Sequence, residues 1–195
     1  MLLKIIQIGD PVLRQNARSL TLSEIHSRQI QELIEHMKET MRDAPGVGLA
    51  APQVGIGLQL AVIEDRAELM KDVAPEQLKE REREPVPFHV IINPQITDRR
   101  EQMVEFFEGC LSVAGFGALV PRYRQVRVEC LDEKGNPRTI EATGWYARIL
   151  QHEIDHLLGH LYVDRMHSRT LTTLDNATRF WKNTPVKDVL RQVGS

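Results

Sequence analysis

Residues 152–156 read His-Glu-Ile-Asp-His, two histidines four apart with a glutamate directly after the first. On a helix, positions i and i+4 lie one turn apart on the same face, so His152 and His156 can converge on one cation. Glu153 then projects toward water at that cation, where a carboxylate accepts and returns a proton. The bland alternative is a pair of surface histidines on an amphipathic helix. Extending the register weighs against it. Trp145, Ile149, His152 and His156 share one stripe, and Leu150, Ile154, Leu157 and Leu158 add apolar bulk around it. Histidines turned inward on such a helix need partners, and a metal supplies them.

A catalytic metal typically takes three protein ligands and keeps one position open. The extended protease pattern H-E-x-x-H-x-x-G-x-x-H fails here, because Gly159 is present but its final position is Tyr162. His160 stands two residues too early, and no glutamate follows Glu153 anywhere in the chain. Both common peptidase ligand sets therefore lack a third member. Asp164, Asp175 and His167 stay open as donors, with no pattern to recommend them. Upstream, Glu108-Gly-Cys-Leu-Ser112 offers Cys110 between a strand and a loop. A thiolate with two imidazoles is an accepted set for zinc or ferrous iron, and Cys110 is the favoured third ligand.

These residues need a frame. Gly144 to Leu158 reads as a helix closed by Gly159. Thr21 to Glu24 has the form of a capping box, and Ile30, Leu33, Ile34, Met37 and Met41 follow at helical spacing until Pro45-Gly46. This predicts one N-terminal amphipathic helix starting at the box. A glycine-rich stretch, 46–57, leads into a strand over 58–63. Residues 66–85 alternate in charge and read as a solvated loop or exposed helix. Strands are expected over 88–92 and 103–107, and a hairpin joins 126–130 to 139–142 through the turn at Asp132 to Asn136. Cys130 falls on the apolar face of that hairpin, as a small buried hydrophobe. Helices near both ends with strands between them indicate an α+β class: antiparallel strands and hairpins around a central helix carrying the two histidines, with an amphipathic helix before them.

At 195 residues the chain fits one domain and needs no disulfides for stability. A formal charge of −2 gives no general reason to expect DNA or RNA as the main partner. Two cysteines do not make a secreted disulfide framework, and no stretch approaches the ~20 apolar residues of a membrane span. The opening apolar run is too short for a signal-peptide core. The reading is an intracellular protein; an organellar protein whose targeting segment has been removed would look the same.

Taken together, Gly46-Val-Gly-Leu-Ala-Ala-Pro-Gln53, Glu108-Gly-Cys-Leu-Ser112 and Gln151-His-Glu-Ile-Asp-His156 closely resemble the peptide deformylase family. The opening Gly9-Asp-Pro-Val-Leu-Arg14 agrees, and the resemblance covers roughly residues 1–170 as the catalytic domain. It implies hydrolysis of the formyl group from the N-terminal formylmethionine of nascent polypeptides. It also implies one divalent metal on Cys110, His152 and His156, natively Fe²⁺, with Zn²⁺, Ni²⁺ or Co²⁺ in preparations. By the same resemblance Glu153 is the general acid/base, and Gln53 and the backbone N–H of Leu111 stabilise the oxyanion. Gly46 and Gly48 let an extended peptide approach the backbone, while Val47, Trp145 and Ile149 are positioned to line the methionine pocket. Glu108 and Arg122 form a candidate pair behind the cysteine loop, with Arg122→Ala expected to impair activity more than stability.

The chain departs from the family at Gly117, where an arginine is common, so preference beyond the methionine is open. Residues 171–195 form a tail of the same domain, partly helical. From Arg179 to Ser195, Arg179, Lys182, Lys187 and Arg191 face one acid, Asp188. The first reading is a solvated tail, and the second is a transient contact with ribosomal RNA.

Overall fold

In the computed structural model, described for residues 1–100 and 102–194, two N-caps rather than one open the N-terminal helical region. Thr21 and Glu24 do form the capping box, but it closes a single turn, α1 (Leu22–Ile25). Ser27 then starts α2 (Arg28–Asp43) by accepting from the Ile30 N–H. The expected single helix is thus broken, because a second side chain able to cap stands six residues after the first. The last tail residue, Ser195, lies outside the described residues.

The strands follow as β1 (Gly48–Ala50), β2 (Leu60–Asp65), and, after α3 (Pro75–Glu80), β3 (Val86–Arg99). Next come β4 (Met103–Cys110), β5 (Val113–Tyr123), β6 (Gln125–Leu131) and β7 (Pro137–Thr143). Helix α4 (Gly144–Leu157) carries the two histidines. A two-residue strand β8 (Thr172–Thr173) precedes α5 (Leu174–Asn176) and α6 (Val186–Val193). Pairing within both sheets is antiparallel, in a five-stranded sheet ordered β1-β2-β3-β6-β7 and a three-stranded sheet ordered β4-β5-β8. The α+β architecture matches the sequence reading. Strand β5, whose Gly115 and Gly117 obscure its alternation, was not foreseen.

The larger sheet lies between two helices. Alternation along β2 and β3 turns Leu60, Val62, Val90 and Ile92 to the α2 stripe of Ile30, Leu33, Ile34, Met37 and Met41. Ala61, Ile63 and Ile91 turn the other way, joining Val126, Val128, Cys130 and Ile140 under Leu150, Ile154 and Leu157 of α4. Each fully buried aliphatic side chain contributes about 1.5–3 kcal/mol, so α4 is clamped by the sheet rather than by helix propensity. Cys130 is buried as expected, whereas Leu158 is largely exposed because α4 has already ended.

Residues 66–85 are not wholly solvated. No residue of α3 is buried, but Arg83 reaches inward to grip both oxygens of the buried Asp65 at 2.8 Å each. Arg81 lies over the rings of Phe106 and Trp145, at 5.7 and 5.1 Å. Charge alternation alone could not reveal this, because both contacts are to residues distant in the chain.

Candidate metal centre

Strand β4 delivers Cys110 as its last residue, and the Leu111-Ser112 turn reverses the chain into β5. Helix α4 presents His152 and His156 one turn apart, facing that cysteine. Cys110 Sγ stands 3.3 Å from His156 Nε2, which stands 3.2 Å from His152 Nε2. All three donor atoms lie within 4.8 Å of one another, and among the described residues no other such group of three occurs. Tetrahedral coordination with ordinary bond lengths gives N···N edges of about 3.3 Å and N···S edges of about 3.5 Å. The donor set therefore fits a divalent metal. The alternatives Asp164, Asp175 and His167 are not in the group; Asp164 pairs with Arg14 and His167 with Glu105. Burial, then the neighbouring His152, holds His156 well below the usual histidine range, in the neutral form that ligates.

The far nitrogen of His152, Nδ1, meets Glu108 Oε2 at 3.0 Å, which leaves Nε2 free to face the cation. Both oxygens of Glu108 accept from one edge of Arg122, Nε and Nη2, at 3.0 Å each, and Oε1 accepts from Arg148 at 2.6 Å. Arg122 reaches on to Asp155, whose two oxygens also take Arg165 at 2.6 and 2.7 Å. Two cations and two anions, Arg122, Arg148, Glu108 and Asp155, are thereby buried together. Burial alone would raise the Glu108 carboxyl, but Arg122 and the His152 hydrogen bond hold it well below the usual carboxylate range. Arg148 is brought down to about 10 by burial, against the pull of Glu108.

Glu153 is 3% exposed and its Oε2 has no hydrogen-bond partner. Burial pushes its carboxyl up to about 7; His152 and Arg122 pull the other way, and Glu108 adds to the rise. Gly48 lies against it. A Cβ on Gly48 would overlap the Glu153 carboxylate and stand 2.8 Å from its Cγ. Gly48→Ala is expected to displace Glu153 and reduce at least tenfold any turnover that depends on this carboxylate, with a smaller loss of thermal stability; turnover within twofold of the parent would refute this. Gln53 sits in the turn after β1. Its carbonyl accepts from the Ala50 N–H at 2.9 Å, so its amide nitrogen faces Cys110 Sγ at 3.5 Å and Ser112 Oγ at 3.2 Å.

A cleft of about 440 Å³ opens between the free edges of β1 and β4, with α4 as its floor. Its lining contains Gly46, Val47, Gly48, Gln53, Glu108, Cys110, Leu111, Trp145, Ile149, His152 and Glu153. Arg122 and His156 are not part of that lining. They lie behind it, almost fully buried. Three guanidiniums, of Arg81, Arg83 and Arg148, stack around Trp145 at 5.1, 5.4 and 5.9 Å and brace this wall.

Sequence reasoning missed Ser112, Arg148, Asp155 and Leu174. Arg148 and Asp155 had a visible signal: they stand four residues before and three after His152, charges on the inward side of an apolar helix. Ser112 stands two residues after Cys110 in the same quoted segment, whereas Leu174, which also lines the cleft, carried none, since only tertiary pairing brings it there.

A family model described as polypeptide deformylase matches residues 2–171. The chain is 48% identical over 172 residues to the chloroplastic peptide deformylase 1A of Solanum lycopersicum, covering 88% of this chain. It spans only 62% of that relative's length. It is 44% identical to peptide deformylase 1 of Bifidobacterium longum, over 95% of this chain and 82% of the relative. A Met-Ala-Ser-bound crystal structure of a class I type b peptide deformylase from Acinetobacter baumannii superposes with a TM-score of 0.76. There the identity is 31%, covering 85% of this chain and 99% of the other.

Proposed function

Because the chain belongs to the polypeptide deformylase family, we propose that it removes the formyl group from the formylmethionine at the start of new polypeptides. One observation carries the reading: Cys110, His152, Glu153 and Gln53 converge at one cleft flanked by two open strand edges, with His156 directly behind it in the same donor group. The Met-Ala-Ser ligand of the Acinetobacter enzyme supports a substrate that begins with methionine. Residues 1–170 act as the catalytic unit, with 171–195 as its tail. Bacterial and chloroplastic relatives both occur; we assign this chain to the cytoplasm of a bacterial-type cell.

Cys110, His152 and His156 would hold one divalent ion, Fe²⁺ in the native enzyme, which suits a thiolate and two imidazoles. When bound, such an ion supplies Lewis acidity, acidifying water and polarising a carbonyl oxygen. The peptide lies extended between β1 and β4 and pairs with their backbone, on the β1 side at Gly46 and Gly48. Val47, Trp145 and Ile149 enclose the methionine side chain. Glu153 takes a proton from water as the water oxygen bonds to the formyl carbon. The amide nitrogen of Gln53 and the N–H of Leu111 donate to the oxygen on which charge develops. The C–N bond then breaks with its electron pair on nitrogen, Glu153 returns the proton there, and formic acid leaves as formate. Glu108, held by Arg122, keeps His152 in the ligating tautomer.

Anaerobically prepared, Fe²⁺-loaded protein is expected to release one formate per formyl-Met peptide, and a chelator should abolish release. Metal analysis of protein purified anaerobically without added metal is expected to give one iron per chain. Absence of formate would overturn the activity, and stoichiometric zinc would overturn the iron assignment alone.

Transient contact of the tail with the ribosome is the remaining element of the proposal. Its support is that Arg179, Lys182, Lys187 and Arg191 are all exposed, although α6 is seated through the buried Val189. Deleting residues after Thr178 is expected to weaken co-sedimentation with ribosomes at low salt; unchanged binding would sink this part.

A further inference from the structure

Strand β4 is the open edge of the smaller sheet, and Glu108, Gly109 and Cys110 run along it beside the cleft. Alternation turns Glu108 and Cys110 toward α4, where both meet its histidines. Gly109 and its register partner on β5, Gly117, belong to the opposite face. There a Cβ on either glycine would meet the same side chain, Leu174 Cδ2, at 4.0 Å from Gly109 and 3.4 Å from Gly117.

Leu174 is brought to this place by β8, which pairs Thr172 with Gly117 and Thr173 with Phe116. The Thr173 hydroxyl then caps the turn of α5 by accepting from the Asn176 N–H at 3.3 Å. Gly117 permits the arrangement: a Cβ there would already stand 3.0 Å from the Glu108 carbonyl oxygen. The result is a half-exposed leucine that lines the cleft above two residues with no side chains.

An extended peptide beside β4 alternates its side chains in the same way as the strand. Methionine directed at Trp145 and Ile149 on α4 sends the next side chain to the opposite face, over Gly109 and beside Leu174. We propose that Leu174 is a specificity-determining residue that selects an apolar side chain at the position directly after formylmethionine. This rests on the deformylase reading above. An apolar side chain there sheds water against Leu174, whereas a carboxylate would lose hydration with no partner in return.

The test compares kcat/KM for formyl-Met-Leu-Ser and formyl-Met-Asp-Ser, read as formate release by the metal-loaded full chain. The parent is expected to favour the leucine peptide roughly tenfold. Leu174→Ala should reduce that preference about three- to fivefold, Leu174→Met should restore it, and Leu174→Lys should shift it toward the aspartate peptide. A leucine-to-aspartate ratio that stays within twofold in both Leu174→Ala and Leu174→Lys, with formate still released, would overturn the role of Leu174 alone. No formate from either peptide with the parent enzyme would overturn the deformylase reading, and this inference with it.

Discussion

Replacing Glu153 by glutamine is expected to lower kcat/KM for a formyl-Met peptide by roughly 10²- to 10⁴-fold, the range in which a positioned general acid/base contributes. Glutamine keeps the shape of the side chain against Gly48 but neither accepts nor returns a proton. The parent carboxyl sits at about 7 because it is buried, close to a working pH at which both protonation states are accessible. Thermal unfolding should show a midpoint equal to or above the parent's. Oε2 already lacks a partner, so the change removes a buried, poorly satisfied carboxyl. Formate release and a melting curve on the same preparation decide it. Activity within tenfold of the parent would remove Glu153 from the mechanism, and an equal collapse of both readouts would make its role structural.

Arg122→Ala carries the second large effect, chiefly on stability. From the sequence, as the partner of Glu108, this residue is expected to matter more to activity than to stability. In the fold it is 3% exposed and joins two buried carboxylates, Glu108 and Asp155, that sit on different elements. Truncation leaves Glu108 with Arg148 and His152, and Asp155 with the half-exposed Arg165. Breaking a buried charge network by removing one member costs about 3–5 kcal/mol. For a chain of this length that corresponds to a fall of about 10 °C in Tm. Activity should fall as well, because the orientation of His152 depends on Glu108. Arg122→Lys keeps the charge without the planar fork and should recover only part of the stability. A Tm within about 2 °C of the parent for Arg122→Ala would show that the neighbours compensate, contrary to this account.

Legibility differed from residue to residue for physical reasons. His152, Glu153 and His156 could be read because helical periodicity is local: four residues apart is one turn in any fold. Cys110 was favoured because the ligand count required a third donor, and Gln53 and Leu111 came through the family resemblance. The capping box at Thr21 was also legible, but the length of the helix behind it was not, since Ser27 competes as a second cap. Residues 66–85 read as solvent-facing because charge patterns report hydration, whereas Arg81 and Arg83 are held by an aromatic wall and an aspartate from other elements.

The sequence by itself determined the α+β class and pointed to a donor set with an acid/base beside it: His152, Glu153 and His156 follow from short helical spacing, and Cys110 from the ligand count and the family resemblance. The tertiary structure alone decided what makes that chemistry specific. It placed Gly48 against Glu153, buried Arg122, Arg148, Glu108 and Asp155 as one neutral cluster, and carried Leu174 across Gly109 and Gly117. Each of these is a meeting of segments tens of residues apart. Such meetings are set by strand register and by how α4 seats on the larger sheet, and neither leaves a periodic mark in the chain.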